Sequence, residues 1–238
     1  MATDKTMNSV YVKDNEIIAE KEFSSALRAT HWIRFFVMIG LIATGFYLAY
    51  VFIQPTLSDE PVLFLQAKIR MWHLIFGFIL IGATITKAYF FFFGKSSVDK
   101  KELISFKDIF SIRIWIDQIK FYLFLGEHPK IRGVYNPLQF VTYLIIYVCL
   151  LLFILTGLIL YIHVYHEGLG GALYGILRPI EAMFGSLANV RIFHHILMWV
   201  ILIFVPIHVY MVIFNSIKSK DGSVDAIISG LKFKKEDH

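Results

Sequence analysis

The chain has 238 residues, 57% of them hydrophobic and 17% charged, with a formal net charge of +5 and a mean hydropathy of +0.65. That balance excludes an ordinary soluble globular domain and points to a chain whose main solvent is lipid. The single cysteine, Cys149, excludes an iron–sulfur cluster, which takes about four thiolates. It also leaves no Cys-x-x-Cys-His for covalent haem attachment.

Residues 1–30 read as a polar N-terminal tail. Asp4, Asp14, Glu16, Glu20 and Glu22 precede the first apolar run, unlike the start of a cleaved signal peptide. Four stretches near 30–53, 71–93, 138–163 and 192–216 then reach the roughly 20 residues needed to cross a hydrocarbon core of about 30 Å. In lipid the backbone must satisfy its own hydrogen bonds, so these spans are expected to be helices. The expected fold is an all-α membrane protein. It comprises a four-transmembrane-helix bundle over 31–216 and a C-terminal tail over 217–238. Trp32, Trp72 and Trp115 stand near span boundaries, as interfacial aromatics do.

The longest connection is 94–137. Within it, residues 105–125 alternate apolar and charged side chains at helical spacing, which suits an amphipathic helix. It would either lie in the membrane interface or pack on the end of the bundle. Gly126, Pro129, Gly133 and Pro137 then break the chain before the third span. The connection 164–191 holds Gly168, Gly170, Gly171, Gly175 and Pro179 and is expected to form a turn-rich cap.

Basic residues set the orientation. The N-terminal tail carries Lys5, Lys13, Lys21 and Arg28. The 94–137 loop has eight Lys or Arg residues, including Lys107, Arg113 and Lys120, and the C-terminal tail has Lys218, Lys220, Lys232, Lys234 and Lys235. The two opposite loops hold only Lys68, Arg70, Arg178 and Arg191. Positive charge stays inside, so both termini and the amphipathic helix are expected to be cytoplasmic. The excess charge then reports topology and contact with anionic lipid rather than nucleic acid.

His31, His73, His194 and His208 lie in or at the edge of apolar spans, where ionisable side chains are costly and rarely idle. His194 and His208 are 14 positions apart. That is about 1400° of rotation, roughly 40° short of four turns, and a rise of roughly 21 Å. Both rings therefore leave one helix face, one near each membrane surface. Given the orientation, His31 lies near the cytoplasmic side and His73 near the outer side. The pairing that matches depth is His73 with His194 and His31 with His208. Two imidazole pairs of this kind suit two haems held only by coordination. His195 competes with His194 but points about 140° away from His208 around the helix. His163 and His166 read as polar interface or partner contacts. His128 and His238 read as solvated.

Arg28, Arg70 and Arg191 each stand three residues before a proposed ligand and so share its helix face. Each could pair with a haem propionate or could simply snorkel to the interface. Lys87 has the same two readings. Gly40, Gly45, Gly77 and Gly82 could admit flat macrocycles or close helix contacts. Cys149, in mid-span, reads as a small buried hydrophobe.

The segment Arg28-Ala29-Thr30-His31-Trp32, ending in Thr44-Gly45, resembles the first-helix signature of the b-type cytochrome subunits of membrane-bound nickel–iron hydrogenases. Arg191-Ile192-Phe193-His194-His195, followed by Pro206-Ile207-His208-Val209-Tyr210, resembles that family's last helix. The resemblance covers the four spans and leaves the N-terminal tail outside the pattern. It implies two haems b on His31, His73, His194 and His208. It also implies hydrogenase small (iron–sulfur) and large (nickel–iron) subunits at the periplasmic face of a bacterial inner membrane, and delivery of electrons to menaquinone or ubiquinone.

Haem subunits of formate dehydrogenases and of sulfur-compound reductases share such a bundle, and a stand-alone haem-binding protein is a third alternative. For a quinone, Asn136 and Gln139 stand three residues apart at the cytoplasmic start of the third span. They could donate to a quinone carbonyl or merely cap the helix. On the opposite side, Tyr165, His166, Tyr174 and Arg178 are expected to line a partner contact.

Overall fold

In a computed structural model, residues 9–12, 17–50, 52, 64–94, 104–123, 125, 126, 131, 135–219 and 223–235 are described. The helices are α1 (Ser25–Ala49), α2 (Leu65–Phe93), α3 (Ile112–Tyr122), α4 (Pro137–Ile162), α5 (Leu169–Met183), α6 (Leu187–Ser219) and α7 (Ser223–Ser229). Three strands join them: β1 (Ser9–Val12), β2 (Ile17–Lys21) and β3 (Leu231–Lys235).

Helices α1, α2, α4 and α6 are long and apolar enough to cross a membrane. Only 17–28% of the residues in their most apolar stretches are buried within the protein. Phe36, Ile85, Ile203 and Tyr210 stand outward and more than half exposed. A water-soluble chain cannot present continuous apolar surface of this extent, whereas lipid covers it at no cost. The chain is a multi-pass integral membrane protein with an all-α membrane fold.

The described chain forms two compact units, one of residues 32–85 and 146–203, the other of residues 1–31, 86–145 and 204–238. In the first, α1 and α2 run antiparallel. Gly40 makes their contact possible, because a Cβ there would lie 2.6 Å from the Phe76 ring. Phe78 meets Tyr161 edge-on at 5.5 Å, and the Tyr147 hydroxyl donates to the Thr84 carbonyl at 2.7 Å.

The 164–191 connection, expected to be turn-rich, instead folds as α5. Gly168 and Gly185, at φ +58° and +80°, bound it, while Gly170, Gly171 and Gly175 lie inside it. Burial outweighs the weak helix preference of glycine. Leu177 and its neighbours Leu173 and Ile180 pack on Ile159 and Ile162 of α4 and on Val190 of α6. Glu181 locks the cap: its Oε1 accepts from Arg178 Nη1 at 2.6 Å, and its Oε2 accepts from His163 Nε2 at 2.5 Å.

The second unit holds a three-stranded antiparallel sheet in the order β1-β2-β3, an element absent from the sequence reading. Both terminal segments, expected as tails, contribute to it: Ile17 pairs with Lys235 and Lys21 with Leu231. Segments from opposite ends of the sequence therefore lie side by side. Gly230, at φ +87°, turns the chain from α7 into β3, and its carbonyl accepts from the Glu22 and Phe23 amides.

The expected amphipathic helix 105–125 is shorter. A helical turn at 104–108 stops before Ser111, and α3 begins after it. Trp115 Nε1 donates to the Ile109 carbonyl across the break at 2.9 Å. Gln118 and Phe121 form its buried face, and Lys218 of α6 closes its end by donating to the Phe121 carbonyl.

Candidate functional site

His73 of α2 and His194 of α6 face each other, with ring centroids 6.5 Å apart and planes inclined by 67°. Each ring is held through Nδ1. Thr44 of α1 lies 2.8 Å from His73 Nδ1, and Thr156 of α4 lies 2.8 Å from His194 Nδ1. Phe153 of α4 stacks flat on the His194 ring, with centroids 4.2 Å apart and planes inclined by 8°. The glycine after each threonine stands against the ring, where a Cβ would make ordinary van der Waals contact. A Cβ at Gly45 would lie 3.4 Å from His73 Cε1, and one at Gly157 would lie 3.5 Å from His194 Cε1. Four helices thus converge on one pair of imidazoles.

Beside that pair lies an open cleft lined by Leu41, Leu74, Gly77, Phe153, Leu158 and Tyr161 as well as both histidines. The lining is almost wholly apolar, and Gly77 faces open space where a side chain would stand. Two metal–nitrogen bonds of about 2 Å each, with ring centres about 1 Å behind each nitrogen, set bis-imidazole centroids about 6 Å apart. The observed 6.5 Å is of that size, and the apolar lining has the chemistry that the face of a porphyrin needs.

His31 of α1 and His208 of α6 belong to the other unit. His208 lies with Nδ1 3.5 Å from the Tyr143 hydroxyl and with Phe204 stacked on it at 5.4 Å and 20°. His31 is half-buried, one residue after the buried Thr30.

The candidate propionate partners differ among themselves. Arg28 donates from Nη1 to the Ile228 carbonyl of the C-terminal segment and from Nη2 to Ser25 Oγ of its own helix at 3.2 Å. Arg70 and Arg191 are exposed beside the His73–His194 pair. Lys87 Nζ lies 5.7 Å from the Phe91 ring.

Asn136 and Gln139 form a reciprocal cap at the start of α4. The Gln139 amide donates to Asn136 Oδ1 at 2.8 Å, and the Asn136 amide donates to Gln139 Oε1 at 3.3 Å. Asn136 Nδ2 further approaches the Tyr122 hydroxyl at 3.4 Å. His163 is bound to Glu181, whereas His166 is exposed. His128 and His238 lie outside the described residues.

Sequence reasoning overlooked Thr156, Phe153 and Tyr143. The signal for Thr156 was available, since the dipeptide Thr44-Gly45 recurs in another span as Thr156-Gly157.

Residues 22–230 match the sequence profile of the prokaryotic cytochrome b561 family. The chain belongs to that family. It is therefore a b-type cytochrome of the membrane, which the paired imidazoles and apolar cavity suit. The cytochrome is 28% identical over 218 residues to the probable Ni/Fe-hydrogenase B-type cytochrome subunit of Rhizobium leguminosarum bv. viciae, covering 90% of this chain and 89% of that one. A protein of the same description from Azotobacter vinelandii is 27% identical, again with 90% and 89% covered. The probable Ni/Fe-hydrogenase 1 B-type cytochrome subunit of Escherichia coli K12 is 24% identical, with 92% and 93% covered.

Proposed function

We propose that this cytochrome is the membrane anchor and di-haem b conduit of a nickel–iron hydrogenase, passing electrons from the hydrogenase at the periplasmic face to membrane quinone. The observation that carries the reading is the His73–His194 pair, 6.5 Å apart beside an apolar cavity. The hydrogenase partner is supported by the descriptions of relatives aligned over nine-tenths of the chain.

In this reading His73 and His194 hold an outer haem, with Arg70 and Arg191 at its propionates. His31 and His208 hold an inner haem, with Lys87 and the remaining donors of Arg28 near it. Haem b supplies one-electron transfer. Two histidines would hold each haem, and the group would supply electron conduction rather than oxygen chemistry. Lacking cluster ligands, the chain takes electrons from a partner's iron–sulfur centre. The cap α5, with Tyr165, Tyr174 and Arg178 exposed, is the surface on which that small subunit docks, and the large subunit follows it.

Quinone takes its electrons at the cytoplasmic side. The capping bonds of Asn136 and Gln139 use their side-chain oxygens. Asn136 is buried and gives a donor to Tyr122, whereas the half-buried Gln139 amide nitrogen keeps its donors for a quinone carbonyl.

Pyridine haemochrome analysis of the purified chain is expected to give two haems b per polypeptide. His73→Ala and His194→Ala remove one of them, and His31→Ala and His208→Ala remove the other. One haem or none in well-folded protein overturns the di-haem reading. Co-purification of both hydrogenase subunits is expected. A molybdenum enzyme in their place would transfer the chain to a formate or sulfur-compound oxidoreductase.

A further inference from the structure

The two threonines beside the histidine pair do more than fill space, and donor counting shows what. Thr44 Oγ1 lies 2.6 Å from the Gly40 carbonyl, one helical turn back, and Thr156 Oγ1 lies 2.9 Å from the Leu152 carbonyl. A carbonyl can only accept, and a hydroxyl has one proton to give. Each threonine therefore donates along its own helix and presents only lone pairs to the imidazole. The histidine nitrogen 2.8 Å away must be the donor, so both His73 and His194 carry their proton on Nδ1. In each ring Nε2 keeps its lone pair for a metal.

We infer that Thr44 and Thr156 are positioning residues that fix the Nδ1–H tautomer and rotation of the outer pair and raise the donor strength of both imidazoles. This rests on the reading that His73 and His194 ligate one haem, and it adds the devices that prepare them. Thr44-Gly45 and Thr156-Gly157 perform the same task from two different helices for histidines on two others. The threonine accepts Nδ1–H, and Cε1 of the ring stands 3.4–3.5 Å from where a Cβ of the next glycine would be. Neither threonine is replaceable by water, since Thr156 is fully buried and Thr44 is nearly so. An acceptor on Nδ1–H makes an imidazole a stronger ligand and favours ferric over ferrous iron.

The test uses the full-length haem-loaded chain in detergent and compares Thr44→Val, Thr156→Val, Thr44→Ser and Thr156→Ser. Valine keeps the shape and removes the acceptor, while serine keeps the acceptor. The valine variants are expected to lose one haem about 10- to 100-fold faster to an apomyoglobin acceptor, as removal of such a partner does. In redox titration the midpoint potential of that haem moves upward while the other stays put. The serine variants return both quantities to wild type. A valine variant with unchanged release and potential overturns the inference while the di-haem reading stands. If a valine variant takes up no haem at all, serine decides. Restored haem at the wild-type potential supports the hydroxyl's role, and failure to restore it overturns that role. Retention of both haems in His73→Ala and His194→Ala overturns instead the reading beneath it.

Discussion

Glycines in a transmembrane helix have unlike surroundings, as Gly40, Gly45 and Gly77 show. Gly40 serves packing, since a methyl group there would strike the Phe76 ring at 2.6 Å. Gly45 serves a ring, as its Cβ would touch His73. Gly77 meets nothing within 4 Å yet lines the cavity beside the histidine pair. A Cβ at 77 therefore has no protein atom to strike, and a longer side chain there would enter the cleft. Gly77→Leu is expected to express and reach the membrane at wild-type levels, because leucine restores helix propensity worth up to about 1 kcal/mol. It is expected to retain one haem rather than two. Haem content measured with the membrane-inserted protein level checks this, and full haem occupancy in Gly77→Leu would place the macrocycle elsewhere.

At the scale of elements, α5 shows how an ion pair can fasten a helix that its sequence barely supports. The Glu181 carboxyl is held below the usual carboxylate range, first by the hydrogen bond from Arg178 and then by that from His163. A lowered folded pKa means stability that is fully present above the unfolded value, about 4.3 for glutamate. That stability is lost as pH falls through the lower folded value. Glu181→Gln is expected to lower the thermal midpoint in detergent by a few degrees near neutral pH. The difference from wild type is full above the unfolded glutamate value of about 4.3 and closes as pH falls through the lower value of the native carboxyl. Thermal melts across that range decide it, and a difference independent of pH would show that Glu181 acts through shape alone.

Helix α6 carries another device. Pro206 removes a backbone donor within the span, two residues before His208, and such breaks are tolerated in membranes where neighbours satisfy the freed carbonyl.

At the scale of the whole molecule, the chain ends hold each other. Strand β3 completes the edge of β2, and Arg28 closes the end of α7 through Ile228. Deleting residues 223–238 exposes the β2 edge and leaves Arg28 without that acceptor. The truncated cytochrome is expected to melt at a lower temperature and to precipitate more readily in detergent, as an unpaired edge invites association. The haem assigned to His73 and His194, in the other unit, is expected to remain. Thermal melts with haem spectra on the same sample test this, and an unchanged midpoint would mean that the sheet contributes nothing to stability.

The sequence by itself determined the membrane class, the number of spans and the histidines worth watching. Lipid imposes a simple rule on composition: about 20 apolar residues per crossing, with each polar group inside needing a reason. A rule of that kind can be applied residue by residue without knowing what packs where. Helical rotation alone separates His194 from His195 along the sequence.

Only the tertiary structure decided the rest, because those features join residues far apart in the chain. Thr156 is an unremarkable span residue until α4 brings it 2.8 Å from His194, 38 positions away. Glycines 168–175 read as turns until burial of Leu177 against α4 and α6 makes a helix of them. The terminal segments read as tails because a strand needs a partner to be a strand, and the partner of β2 lies at the opposite end of the sequence. Local pattern reports which solvent a segment meets, whereas hydrogen-bond partners across helices depend on packing that no local window contains.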